Sequence, residues 1–374
     1  MNEYLGQEIP KLGFGFMRLP KLEDGSNDMP QVKEMVDLFM NSGMYYFDTA
    51  WIYDGGNSER AIKEALVDRY PRDKFYLATK LQAGSAVLSE EQAKSEFTDS
   101  LERTGAGYFD FYLLHAIGPD NYEKYERFHL FEFVQQKKAE GLIKHIGFSF
   151  HGNQELLETI LEKHPEMEFV QLQINYADWE SDNVQSRKVM ETAQKYGKGI
   201  IIMEPVKGGM LANPPKVAAD LLKAADANAS YASWAIRFAA SQDNIITVLS
   251  GMSTLSQVED NVSYMKDFQP LSEEEMKVVH QARLEIENIP RIACTACKYC
   301  VAGCPQKINI PGIFAAHNRS LVWGDEKTAE NSYKNITKDA GKASDCIACG
   351  QCEMECPQHL NIIELLQECA NKYE

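Results

Sequence analysis

The chain has 374 residues, 44% of them hydrophobic, and a formal net charge of −17. That length permits a large core and more than one domain. An acidic chain without a basic run argues against nucleic acid or an anionic membrane surface as a partner. No apolar run approaches the roughly eighteen residues of a membrane span. The opening MNEYLGQEIPKL lacks the basic and apolar regions of a signal peptide. All nine cysteines lie beyond residue 290, whereas a disulfide framework would scatter them through a small secreted domain. The composition changes near Asn288-Ile289-Pro290, so two domains are expected, 1–288 and 289–374.

In chain order, Leu12 to Leu19 reads as a first strand and Pro30 to Asn41 as a helix, with Val32, Met35, Val36 and Phe39 on one face. Met44 to Phe47 is a short buried strand, and Ser58 to Asp68 a helix after the GGN turn. The alternation continues with a strand over Phe75–Lys80, a helix over Glu90–Thr104 and a strand over Phe109–His115. A helix over Tyr122–Glu140, a strand over Ile143–Phe148, a helix over Gln154–Lys163 and a strand over Phe169–Asn175 follow. The last units are a helix over Val184–Tyr196, a strand over Gly199–Glu204, helices over Pro214–Ala225 and Ala229–Ala240, a strand over Ile245–Leu249 and a helix over Leu255–Met265. Eight strands with helices between them imply a parallel sheet closed into a (β/α)8 TIM barrel, an α/β fold. Ser272 to Glu287 is a further helix, with Ser272 and Glu275 as a capping box.

Three of the strands end in polar groups. Met44–Phe47 runs into Asp48, with Tyr53 in the loop beyond; the next strand ends at Lys80 and the next at His115. In a parallel barrel such ends meet at one mouth, where these enzymes keep their chemistry. A phenol there is a natural proton donor to a carbonyl under reduction, and an adjacent ammonium is expected to lower its pKa. Asp48 would hold Lys80, and His115 would hydrogen-bond the substrate oxygen.

These four residues, in type, order and strand position, resemble the catalytic tetrad of the aldo-keto reductases. GFGFMRLP and the GGNSE after Tyr53 resemble bacterial members, and the likeness spans roughly residues 8–265. It implies reversible carbonyl reduction with hydride from NADH or NADPH lying extended across the barrel mouth. By the same resemblance Ser149 and Gln171 contact the carboxamide, with Gln173 as a rival assignment, Asn175 following, and His151 a substitute for a missing asparagine. Met203 stands where an aromatic often stacks on the nicotinamide. Gly251 and Gln257 occupy positions that are cationic in phosphate-preferring members, while Asp260 and Asn261 match the adenine-end acid and amide. NADH is therefore expected to compete with NADPH, unless Lys207 or another loop cation supplies the charge. Trp51, Trp179 and the loop from Asp178 to Asp182 are candidate pocket walls.

The C-terminal segment holds Cys294, Cys297, Cys300 and Cys304 before Pro305, then Cys346, Cys349, Cys352 and Cys356 before Pro357. Each run is C-x2-C-x2-C-x3-C-P, the bacterial ferredoxin spacing, and it calls for two [4Fe-4S] clusters rather than zinc. By the crossover rule Cys294, Cys297, Cys300 and Cys356 hold one cluster, and Cys346, Cys349, Cys352 and Cys304 the other. The long insert between the runs reads as mostly helical, giving a small, mostly helical ferredoxin-like iron–sulfur domain, and Cys369 as a buried helix thiol. A reducing, cytoplasmic setting in an anaerobe is expected. The partners expected are a small-molecule carbonyl or alcohol and a redox partner protein. The competing function is an electron-transfer protein whose barrel is a cofactor-binding docking module.

Overall fold

The computed structural model describes residues 2–4, 7–84 and 86–374. Met1, Leu5 and Gly6, within the stretch read for a signal peptide, and Ser85 lie outside them. The chain divides into two compact units, one of residues 1–212 and 222–280, the other of residues 213–221 and 281–374.

In the first unit, β1 (Asn2–Tyr4) and β2 (Gln7–Ile9) form an antiparallel hairpin that the sequence did not announce. Eight strands then close a barrel: β3 (Leu12–Gly15), β4 (Tyr46–Asp48), β5 (Tyr76–Leu81), β6 (Phe109–Ile117), β7 (Ile143–Phe150), β8 (Phe169–Gln173), β9 (Gly199–Met203) and β10 (Ile245–Ser250). Each pairs in parallel with its neighbours, and β10 closes on β3. Tyr46, Phe111, Leu113, Phe169, Ile201 and Ile246 fill the interior, all but wholly buried. A larger apolar layer, including Phe14, Phe39, Phe47, Leu77 and Ile200, lies between strands and helices. The barrel is thus a packed core and not a pore.

The helices up to residue 287 are α1 (Met29–Asn41), α2 (Ser58–Ile62), α3 (Glu90–Thr104), α4 (Tyr122–Arg127), α5 (Leu130–Ala139), α6 (Gln154–Lys163), α7 (Ser186–Lys195), α8 (Lys216–Ala225), α9 (Tyr231–Ala240), α10 (Leu255–Met265) and α11 (Glu273–Glu287), of which α8 and α11 are each divided between the two units. Where a side chain caps the first turn, boundaries are sharp: Ser89, Asn153 and Thr254 accept from the third helical amide of α3, α6 and α10. Ser272 and Glu275 exchange hydrogen bonds of 2.8 and 3.2 Å at the start of α11, as the capping box requires. The single helix expected over Tyr122–Glu140 is two, because His129 takes a left-handed φ of 50°. The first strand ends at Gly15 rather than Leu19, where the backbone turns into the mouth.

The second unit is helical: α12 (Tyr299–Ala302), α13 (Ile310–Trp323), α14 (Glu326–Ile336), α15 (Gln351–Met354) and α16 (Ile362–Tyr373). Ile308, Ile313, Phe314, Tyr333, Leu366 and Cys369 form its core. Cys369 is fully buried, and burial pushes its thiol up to about 12. Among the described residues no helix is long and apolar enough to cross a membrane.

Candidate active site and cysteine cavities

The polar strand ends meet at the carboxyl-terminal mouth of the barrel. β4 delivers Asp48 and β5 delivers Lys80, and Lys80 Nζ donates to Asp48 Oδ1 at 2.6 Å and to the Thr49 carbonyl at 2.7 Å. Both side chains are all but inaccessible to solvent. Burial alone favours the neutral lysine, but the Asp48 carboxylate beside it outweighs that and holds Lys80 above its ordinary pKa. Beyond β4 the chain makes a tight turn over Tyr53–Gly56, in which Asp54, Gly55 and Gly56 all have positive φ. A β-carbon is disfavoured in that backbone, so the two glycines let the turn form. Asp54 anchors the turn by pairing with Lys21 and by accepting from Asn27 at 2.7 Å. Ser58 closes it by donating to the Phe16 carbonyl at 2.8 Å.

This turn sets the Tyr53 ring 4.7 Å from Lys80 Nζ and edge-on to the His115 imidazole, with centroids 5.6 Å apart. Burial raises the Tyr53 phenol above its ordinary value, and Lys80 opposes the rise without cancelling it. The expected net lowering is therefore corrected: the cation has the anticipated sign, but desolvation is larger, and desolvation cannot be read from a sequence. Burial also lowers His115 well below the ordinary imidazole value, with Lys80 adding to the effect, so the ring is neutral at physiological pH.

His115 sits where the β6–β7 register shifts, between Leu114 and Ile117, and Ala116 after it has φ 53°. Such bulges re-aim side chains beside functional sites. Ser149 Oγ accepts from the Ala116 amide at 2.6 Å and so fixes this irregular backbone. The Tyr125 hydroxyl donates to the His115 carbonyl and accepts from the Ala83 amide at 2.9 Å, tying the ends of β6 and β5 together. Neither anchoring role was visible in the sequence, because both depend on the bulge.

A cleft of about 820 Å³ opens at this mouth, lined by Asp48, Tyr53, His115, His151, Gln171, Met203, Gly251, Gln257, Asp260 and Asn261 among others. Ser149 is buried and does not line it. Gln171 does, with its Nε2 3.6 Å from Met203 Sδ and its buried Oε1 without a partner among the described residues. Gln173 instead donates to Asp178 at 3.1 Å, and Asn175 is wholly buried, bonded to Asp178 and the Glu204 carbonyl. Lys207 pairs with Asp178 and lies outside the lining. At the far end Asn261 donates to Ser250 at 2.7 Å, Asp260 accepts from Ser230 at 2.8 Å, and Gln257 accepts from the Ser253 amide at 2.7 Å. Trp51 lies against Arg103 and Trp179 against Phe238, so neither forms the wall expected of it. Met17, Arg18, Ile52 and Glu204 line the cleft in their place. Arg18 was hidden because the sequence places it inside a first strand that in fact ends at Gly15; Glu204 had a signal as the polar end of the strand expected over Gly199–Glu204.

In the second unit the two cysteine runs cross. One cavity is lined by Cys294, Cys297, Cys300 and Cys356, the other by Cys346, Cys349, Cys352 and Cys304. No group of three or more ligating side chains converges on a single metal-ion position among the described residues. Four thiols spread around a cavity suit a multi-iron core and not a lone tetrahedral zinc.

Residues 11–283 match the model of the Aldo/keto reductase family, and residues 293–361 match that of the 4Fe-4S dicluster domain. An uncharacterized oxidoreductase of Schizosaccharomyces pombe is 27% identical over 68% of this chain and 81% of its own length. An aldo-keto reductase from Bacillus halodurans in its holo form superposes with a TM-score of 0.61 at 24% identity, over 74% of this chain and 93% of that one. A Klebsiella pneumoniae aldo-keto reductase in complex with NADPH gives 0.58 at 19%, over 73% and 90%. With a family match over most of its length, the chain belongs to the aldo/keto reductase family, an oxidoreductase that carries a 4Fe-4S dicluster domain at its C-terminal end.

Proposed function

We propose that the protein interconverts a small-molecule carbonyl and its alcohol at the barrel mouth, with a nicotinamide dinucleotide in the cleft and Tyr53 as proton donor. The observation that carries this reading is the buried Asp48–Lys80 pair with the Tyr53 and His115 rings gathered around it. The cleft also fits the cofactor: the unpartnered Gln171 Oε1 is an acceptor for a carboxamide N–H, and Met203 offers a soft surface beside it.

When bound, the dinucleotide supplies the hydride. The chain's own residues manage the proton. Burial keeps the Tyr53 phenol protonated at neutral pH, so a proton is present to give. Lys80, next to the ring, stabilises the phenolate as it forms, which favours the transition state over the ground state. Asp48 fixes the ammonium, and neutral His115 donates a second hydrogen bond to the same substrate oxygen. Gly251 and Gln257 bring no cation of their own to the far end of the cleft, which supports NADH as a competitor of NADPH there.

The cysteine cavities each hold one [4Fe-4S] cluster on the crossed ligand sets, in an iron–sulfur domain over 289–374 that follows a reductase domain over 1–288; the compact units differ from this in taking 213–221 and 281–288 with the second. Cys297 and Cys349 are exposed, which supports electron exchange with a redox partner protein. The central test is Tyr53→Phe. Turnover on a carbonyl panel should fall by about 10²–10⁴-fold, while NADH binding stays near the wild-type level. Full activity in that variant would refute the proposal and favour an electron-transfer protein with a cofactor-binding barrel.

A further inference from the structure

Arg18 and Glu204 face one another in the cleft at 3.7 Å, beyond hydrogen-bond range, with side chains 50% and 33% exposed. For each, this is the one ion pair among the described residues. The Arg18 stem lies along Gly251, where an added β-carbon would sit 3.7–3.8 Å from three of its carbons. Ser253 fixes the Arg18 backbone by donating to its carbonyl at 2.6 Å. The guanidinium therefore stands beside the very loop whose own positions lack cations. Of the lysines at the cleft, Lys223 lines it and donates to the Ala227 and Ala229 carbonyls at 3.0 Å, and Lys207, outside the lining, pairs with Asp178. Glu204 is held by its backbone, at φ 55° with its carbonyl accepting from Asn175, and its carboxylate makes no hydrogen bond among the described residues.

A carboxylate lining a cleft that takes an anionic ligand repels it unless a cation neutralises the carboxylate first. A guanidinium in a loose, half-exposed pair is free to exchange that partner for a bidentate phosphate. We propose that Arg18 is the dinucleotide's phosphate-binding cation, supplied from the first strand's loop instead of the last, and that Glu204 is its resting counter-ion, displaced when phosphate arrives. This rests on the cleft binding a nicotinamide dinucleotide.

The test is direct binding, by titration calorimetry of the full-length protein with NADH and with NADPH, for wild type, Arg18→Gln, Glu204→Gln and the double variant. Arg18→Gln should weaken binding by about tenfold. Glu204→Gln should tighten it by about threefold, and the double variant should bind more tightly than Arg18→Gln but less tightly than wild type, because the carboxylate that the guanidinium neutralised is gone as well. Equal losses for both dinucleotides place the guanidinium on the pyrophosphate, and a loss confined to NADPH places it on the 2′-phosphate; either supports the proposal. Wild-type affinity in Arg18→Gln overturns it, as does a Glu204→Gln loss equal to that of Arg18→Gln. A wild-type protein that binds neither dinucleotide overturns the cofactor reading itself, and is seen before any substitution is made.

Discussion

The barrel mouth and the cysteine unit gather their reactive groups by different routes. At the mouth, Asp48, Lys80 and His115 stand at the ends of three strands, and only a closed, packed barrel brings them together. In the cysteine unit, three of the four thiols around each cavity come from one short run, and the fourth comes from the other run. The mouth is organised by desolvated charge, a buried ion pair with neutral rings around it. The cysteine unit is organised by ligand spacing over a small core. The difference teaches which forces each site tolerates losing: the first depends on protein electrostatics, the second on a metal core that completes the packing.

The largest effect that separates them should come from Lys80→Met. It strands the buried Asp48 carboxylate, and removing one partner of such a pair costs about 3–5 kcal/mol. Thermal unfolding should register this in the barrel, with carbonyl turnover lost as well. Adding Asp48→Asn should return most of the stability and none of the activity. If the double variant is as unstable as the single, the pair is not the organising interaction.

Next is the crossing itself. Cys294→Ser and Cys356→Ser should each remove about half the iron and sulfide, and the double variant should lose no more than either. Cys294→Ser combined with Cys304→Ser should lose nearly all of both. Nucleotide binding should persist throughout. Iron analysis and electron paramagnetic resonance decide this, and equal losses in both double variants would rule out the crossed sets.

A smaller effect is confined to the cysteine unit. A β-carbon on Gly341 would sit 2.2 Å from the Gln306 carbonyl oxygen, so the backbone must shift. Gly341→Ala should cost about 1–3 kcal/mol and leave carbonyl turnover alone, which stability and kinetics measured side by side will check.

The subtlest expectation concerns pH. With Tyr53 as the proposed proton donor, reduction would need its phenol protonated, and its raised phenol should move the alkaline loss of activity above the ordinary value of about 10. His115, held well below its ordinary value, stays neutral as pH falls through about 6.5, so kcat/KM should show no acid limb from this ring there. In stability the sign is the same: the unfolded imidazole takes up its proton first, so the folded state loses ground as pH falls below that point. An inflection near neutrality that His115→Asn abolishes would contradict the assignment.

Much of this architecture was legible because local chemistry announced it. Glu90–Thr104, Gln154–Lys163 and Leu255–Met265 emerged with their expected bounds, each begun by a capping side chain. The four mouth residues were legible because strand ends in a parallel barrel converge. What stayed hidden was non-local. Apolar periodicity runs straight through His129, so the helix break there left no mark. The raised Tyr53 phenol reflects desolvation by the assembled mouth. The Arg18–Glu204 pair joins the segments just beyond β3 and β9, strands that pair with β10 on either side of it in the barrel.

The crossed thiol sets carry one more implication. Because each cavity borrows a residue from the opposite run, the two inorganic cores would stitch the halves of this unit together like a double rivet. A protease cut anywhere in the helical insert between Lys307 and Lys342 should then leave the fragments joined until a chelator strips the iron. On that arrangement neither half would mature alone, and delivery of metal and folding of this segment would become a single event.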